Sequence, residues 1–411
     1  MMPAASLLGR DALSRGVLAA LALYMVVLPL SGTAALRSLA FVVLFLLTLT
    51  ATLRRQIAPA LPLRWAWLAY ALVSLASLLY AANVDYSFGE IKAEVGYGLL
   101  IFAIAIAWVR KESEVAAVAQ LLALGNLIFV VGSLVTLGTK GFNNSGIGAW
   151  ATGVGATSTV VITALPWLVA LAARCYNRGS LRLAAGFALL ALANLGTLFL
   201  TMNRQSWLAL GISALVGLAC LGRKFWSPKR FLLAAGAAVL FVALVATQFS
   251  VRHQGMVDPV AEATGASANV SVVQRDVRWD LWRFSLERIA ERPLSGGGFG
   301  RASFNLLYRD YHLSTGSPLW HAHNMVINKG VQMGVPGIVA FLALWIAMAT
   351  AAYRILRTRP DLKPWAIACL AMMAGVFVKS MTDDFFVRDH ALMFWLLCGA
   401  LLGAARQEQA A

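Results

Sequence analysis

His323 lies in the segment WHAHNMVINKG, just before an apolar stretch and hence near one face of a membrane. A neutral imidazole there could accept a proton from a hydroxyl, because an unperturbed histidine titrates at roughly 6.5 and suits base chemistry near neutrality. The plainer alternative is a capping or interface histidine. His321 stands two residues earlier. A His-x-His pair can begin a metal site, but no third ligand stands nearby in the sequence, and no metal is expected.

Cations supply the second ingredient. Arg204, in TMNRQSW, sits at the junction of two apolar runs, where a guanidinium could hold a phosphate bidentately or simply snorkel to the interface. Arg275 and Arg278 open an amphipathic stretch one helical turn apart, with Trp282 in register four residues after Arg278. An arginine pair near a helix start is a candidate diphosphate clamp. As a solvated face, the same pair would be neutralised by Asp276 and Asp280. Lys92, Lys379 and Arg388 are further cations near helix ends on the same side and could line the same site. Asp383 and Asp384 form a tight acidic pair, for which a loop turn is expected. The glycines at 296–300 have no preceding strand and read as backbone flexibility rather than a dinucleotide fingerprint. No Walker motif and no Gly-x-Ser-x-Gly occurs.

The elements that must position these groups are membrane helices. The 411 residues are 60% hydrophobic and only 13% charged, far from the balance of soluble domains. The apolar residues fall in separated runs, each long enough to cross a ~30 Å hydrocarbon core as a helix. An all-α polytopic membrane protein with about twelve transmembrane helices is expected. The spans are placed at about 16–32, 34–52, 63–82, 93–109, 115–137, 150–172, 183–202, 206–222, 231–249, 335–357, 364–381 and 390–405.

The net charge of +16 is spread over many short loops, with no dense stripe for nucleic acid. It sorts by side instead: Arg54, Arg55, Arg64, Arg174, Arg178, Arg182, Lys229 and Arg230 gather in alternate loops, and the short loops and helix ends between them hold only Arg37, Lys92, Lys140, Arg204, Lys379 and Arg388. By the positive-inside rule both termini are cytoplasmic. The first apolar run follows Arg10 and Arg15 and is expected to stay as a signal anchor. Cys175, Cys220, Cys369 and Cys398 lie in or beside apolar runs and suggest neither disulfides nor zinc.

One outer loop, 250–325, is long and rich in arginine; it divides the chain into helices one to nine (1–249) and ten to twelve (326–411). Residues 255–274 read as a flexible lead-in. From about 274 to 292 a helix is predicted, with Trp279, Trp282, Leu286 and Ile289 on one face, lying flat on the outer membrane surface until Pro293 stops it.

This ordered set resembles the O-antigen ligase and O-antigen polymerase superfamily of bacterial envelope enzymes. The resemblance rests on the Arg204 segment (201–204), Arg278 with Trp282, Pro293 with Gly296, Gly298 and Gly300, His323 followed by Asn324, and Gly334-x-Pro336-Gly337. It covers about residues 200–340, and one departure is Asn203 where the family often has Ser. What the resemblance implies is a GT-C-like, metal-independent, inverting glycosyltransferase that needs no cofactor. Such an enzyme moves a glycan from undecaprenyl diphosphate to lipid A–core oligosaccharide on the periplasmic face of the inner membrane. His323 would be the base. Arg204, Arg278, Arg275, Lys92 and Arg388 would bind the diphosphate, with Asn324, His321 and Trp282 in support. A polymerase or a protein O-oligosaccharyltransferase would use the same donor with another hydroxyl. A lipid-glycan transporter would carry mid-membrane charges, from which these apolar runs are largely free.

Overall fold

The computed structural model describes residues 12–30, 32–54, 57, 61–141, 148, 153–222, 227–230, 277–311, 320–386 and 388–406, with isolated positions between 232 and 247. The helices in chain order are α1 (Ala12–Val27), α2 (Ala34–Leu53), α3 (Arg64–Ala76), α4 (Val84–Ile91), α5 (Tyr97–Trp108), α6 (Glu112–Lys140), α7 (Val154–Asn177), α8 (Leu181–Leu200), α9 (Arg204–Leu221), α10 (Val277–Glu291), α11 (Ser303–Leu307), α12 (Met325–Thr358), α13 (Lys363–Ser380) and α14 (Arg388–Arg406). A π-helical turn, Lys92–Gly96, joins α4 to α5. No strand occurs among the described residues.

Eight of these helical stretches are long and apolar enough to cross a membrane, α4 and α5 counting as one, and α1 is a shorter apolar helix. The span expected at 231–249 lies largely outside the described residues, as do Arg275 and the lead-in at 255–274. Leucines at 39, 46, 49, 72, 189, 192 and 215 remain exposed on the outside of the bundle, the solvent-facing pattern of a protein whose solvent is lipid. Between helices, small residues and amides do the joining, since burying leucine gains little when its alternative is a lipid tail. Gly399 and Gly403 let α14 close on α5, where an added Cβ would sit 2.6 Å from the Phe102 carbonyl and 2.4 Å from that of Val109. Asn126 of α6 and Asn194 of α8 exchange amide hydrogen bonds of 3.0 and 2.6 Å.

At one end of the bundle, helix α10 and the chain after it fold back onto it. The α10 face expected from periodicity is divided. Leu281, Ser285 and Ile289 are buried and Trp282 half-buried, while Trp279 and Leu286 point outward. The inward face joins Phe304, Ala322 and Val331 in a small second core, with Phe284, Tyr308 and Tyr311 stacked around it.

The glycine run that follows is docked rather than flexible, which corrects the sequence reading. Gly297 N–H donates to Val331 O (2.9 Å), Gly298 N–H to Gln332 O (3.1 Å), and Ala82 N–H to Gly297 O (3.0 Å). The segment thus wedges between the end of α3 and the outer part of α12. Only glycine fits: a Cβ on Gly296 would lie 2.3 Å from Val331 O, and Gly298 has φ +93° with Ala81 and Ser87 against it. Helix α12 is broken at Gly334 (φ 68°), where Val335 N–H turns to Pro293 O (2.8 Å). Its first turns therefore belong to the outer layer, and the long apolar part begins near residue 335, where the span was expected.

Gly296→Ala is expected to destabilise the protein by about 1–3 kcal/mol through overpacking. Gly186→Ala, on α8 with open space around it, should be neutral or slightly stabilising. Thermal unfolding of the two purified variants in detergent checks both.

Candidate active site

His323 is held at the junction of the outer layer and the bundle. Its backbone is left-handed (φ 49°), and so are Met202 (φ 50°) and Arg388 (φ 45°). Three non-glycine residues in this sparsely populated region, all at outer helix ends, indicate backbone strain imposed by the surrounding packing. The capping duty at α12 falls to Asn324, whose side chain accepts from Val326 N and Ile327 N (3.0 Å each) and donates to Met381 O (2.9 Å). His323 is therefore spared as a cap. Trp282 Nε1 donates to Ala322 O (3.0 Å), tying α10 to the segment that carries both histidines.

The partner of His323 comes from the far end of the chain. The turn between α13 and α14 delivers Asp383, whose Oδ1 is 3.1 Å from His323 Nδ1. Burial would raise the Asp383 carboxyl, but the bond to His323 and the nearby Lys379 outweigh it and hold it at about 2. Asp383 is thus a carboxylate, so the imidazole turns a protonated Nδ1 toward it and leaves Nε2 as the nitrogen directed away from this bond. His323 is partly exposed, at 30% of its side chain. An oriented histidine with one open nitrogen is the arrangement a general base requires.

His321 has a different character. It is buried, its ring centroid is 4.1 Å from that of His323, its Nδ1 faces His323 N–H (3.0 Å) and its Nε2 faces the Arg301 guanidinium (2.5 Å). Burial first and Arg301 second push its pKa down to about 2, keeping it neutral.

The same turn gathers cations. Phe385 lies between the Arg301 guanidinium (5.2 Å from the ring centroid) and the Lys379 ammonium (5.0 Å). Lys379 is fully buried with no hydrogen-bond partner among the described residues, and it lies within electrostatic reach of Asp383 and Arg278. With its amide oriented oxygen toward the guanidinium, Gln205 accepts from Arg278 at 2.8 Å and donates to Thr382 Oγ1 at 3.0 Å. This amide links the start of α9, where Arg204 sits exposed, to the start of α10 and to the residue before Asp383. Behind them Asp384 is buried, its carboxyl raised by desolvation, and accepts from Asn328 at 2.6 Å. Next to Asn328, Lys329 pairs with Glu94 at 3.2 Å, both buried, with Phe299 under the ammonium at 4.2 Å.

The structure thus brings together His321, His323, Asn324, Trp282, Arg278 and the helix start that bears Arg204. Two other cations are engaged or placed elsewhere. Arg388 pairs with Glu90 at 3.0 Å. Lys92 is exposed on the π-helical turn and shares no hydrogen bond or ion pair with the histidines. Arg275 lies outside the described residues. Sequence reasoning missed Gln205 and Arg301 as site residues, and although Asp383 and Asp384 do lie in the expected turn, it gave them no part in the site. The one available signal was that pair itself, the tight acidic pair on the outer side.

A third ligand for the His-x-His pair does exist in space: ligand atoms of His321, His323 and Asp383 all lie within 4.8 Å of one another. The donor set suits a divalent ion in type, but Arg301 occupies His321 Nε2, and Lys379 adds a second cation beside Asp383. A metal would be repelled by both.

Residues 185–342 match the family model described as O-antigen ligase. Over that stretch the chain is similar to the O-antigen ligase superfamily. That stretch holds Arg204, Arg278, Arg301 and His323, whereas Asp383 and Lys379 reach it from outside its matched boundaries. No curated protein matches the chain.

The neutral burial of His321 makes stability depend on pH. The unfolded chain takes up a proton near pH 6.5, but the folded site resists it down to about pH 2. Stability is therefore expected to fall as pH drops below about 6.5, by up to about 1.4 kcal/mol per unit. Asp383 adds a loss of the same sign only below its ordinary value of 3.8. His321→Gln should flatten the slope between roughly pH 6.5 and 4, measured as thermal midpoints against pH; an unchanged slope would exclude His321 as its source.

Proposed function

We propose that this protein transfers a glycan from undecaprenyl diphosphate to a sugar hydroxyl of lipid A–core oligosaccharide, on the periplasmic face of the inner membrane and with both termini in the cytoplasm. The observation that carries this reading is the His323 imidazole held by Asp383, next to the Arg278, Gln205 and Thr382 bridge and the buried Lys379 ammonium. The O-antigen ligase match supports it at the level of the family. In this reaction His323 Nε2 takes the proton of the acceptor hydroxyl, and the freed oxygen attacks the anomeric carbon from the face opposite the leaving group. The bond from that carbon to the diphosphate breaks, and the diphosphate departs with the electron pair, inverting the centre. Arg204, Arg278 and Lys379 offset the charge that develops on it, usually the largest catalytic contribution in such a step. Asp383 is a positioning residue, fixing the tautomer and orientation of His323. No ATP is needed, because the diphosphate ester already supplies the driving force. The outward Trp279 and Leu286 of α10 suit contact with the membrane surface, where a lipid-borne donor arrives.

His323→Ala is expected to lower transfer by roughly 10²–10⁴-fold without unfolding the protein. Full rates from a folded variant would remove the base. Arg278→Ala should raise the donor KM by roughly tenfold to a hundredfold, as loss of charge-assisted hydrogen bonds predicts, and leave the acceptor KM nearly unchanged. Activity should persist in EDTA; loss that Mg²⁺ restores would show that the three-ligand cluster holds a catalytic metal. Incubation of the purified protein with lipid-linked glycan and each class of acceptor separates ligase from polymerase and from protein glycosylation, by which product forms.

A further inference from the structure

Beside His321 lies a cavity of about 390 Å³, lined by Tyr86, Glu90, Arg301, Trp320, His321 and Arg388. The volume falls in the usual range of ligand sites, roughly 300–1,000 Å³. We propose that this cavity is a saccharide subsite that seats an acidic sugar of the acceptor glycan, one bearing a carboxylate or phosphate. The proposal rests on the transferase reading above and adds to it the chemistry of the acceptor.

The lining has the composition that a sugar requires. Trp320 is 61% exposed although it adjoins the buried His321, so its ring offers an apolar platform for the C–H face of a pyranose. Around it stand groups with unused hydrogen-bonding capacity. Glu90 gives one carboxylate oxygen to Arg388, and its second oxygen makes no hydrogen bond among the described residues. The Tyr86 hydroxyl accepts from Ala302 N–H at 2.8 Å, which leaves its own proton to donate. Arg301 Nε is buried without a hydrogen-bond partner.

Charge sets the preference for an acid. Glu90 and Arg388 offset one another, and His321 is neutral between Arg301 and His323 N–H. Arg301 itself is balanced from behind by Asp384, which Lys329 also claims. Of the charged groups that line the cavity, Arg301 and Arg388 are cations and Glu90 is the one carboxylate, so the wall itself presents one more cation than anion, which a neutral sugar would leave unmatched. The acceptor side follows from placement. The cavity shares His321 with the imidazole pair and none of its lining with the Gln205 bridge, which adjoins Asp383 through Thr382. A sugar standing on Trp320 next to His321 is one ring away from His323, within reach of presenting a hydroxyl.

The test uses the full-length protein in detergent or nanodiscs and measures initial rates against lipid A–core acceptor at saturating lipid-linked donor, and against donor at saturating acceptor. Trp320→Ala and Arg388→Gln are each expected to raise the acceptor KM by roughly tenfold with the donor KM unchanged. Carboxyl-reduced or dephosphorylated core should lose the same affinity on the wild-type protein, and an affinity equal to that of native core overturns the preference for an acid. Unchanged acceptor KM in both variants overturns the proposal, and a raised donor KM instead assigns the cavity to the donor glycan and also overturns it. If the wild-type protein forms no product with any acceptor, the transferase reading fails separately. Isothermal titration of core oligosaccharide released from lipopolysaccharide then decides the cavity alone: binding lost in Trp320→Ala and Arg388→Gln supports it, and equal binding or none to the wild-type protein overturns it.

Discussion

The hydrogen bond from His323 Nδ1 to Asp383 Oδ1 is the constraint around which the outer face of this bundle is organised. It joins two segments that have no local reason to meet, the end of the arginine-rich loop and the turn between the last two helices. Each end is pinned by neighbours. Asn324 caps α12 and holds Met381 O, Trp282 holds Ala322 O, and Phe385 fills the space left by Gly155 on α7. With both backbones fixed, the imidazole has one orientation and one tautomer, and its reactive nitrogen faces outward.

That constraint is carried by a layer of buried charge. Lys329 and Glu94, and Asp384 and Asn328, are removed from water just behind the open site. Buried ion pairs seldom add much stability, because desolvation costs about as much as the pairing returns. Breaking one, however, leaves an isolated charge in an apolar surround, and that penalty makes alternative arrangements of these elements unfavourable. The network explains how a site at a bundle edge can be rigid although its parts come from α4, α9, α10, α12 and the α13 to α14 turn.

The docked glycines complete this account. An arginine-rich segment that packs against the bundle must approach its backbone closely, and side chains would prevent it. Residues 296–298 instead contribute backbone N–H and C=O groups to the bundle, edge to edge with α12 and the end of α3. Absent side chains here serve contact, not mobility.

Hydropathy alone established a helical membrane protein, because apolar runs of about one bilayer thickness are a local property of the chain. Periodicity and residue type also marked His323, Arg204, Arg278 and the α10 helix, whose cues lie within a few turns of one another. The rest was decided by tertiary structure. Asp383 stands 60 positions from His323, and Phe299 N–H meets Ser77 Oγ across 222. No short-range pattern encodes such separations. Arg388 and Lys92 looked equivalent to Arg278 as outer cations at helix ends, yet packing gave Arg388 to Glu90 and left Lys92 exposed. Charge and position along the chain say which side of the membrane a residue occupies. Which residues share a site depends on how the helices cross and where the loop docks, and those are set by contacts between distant segments.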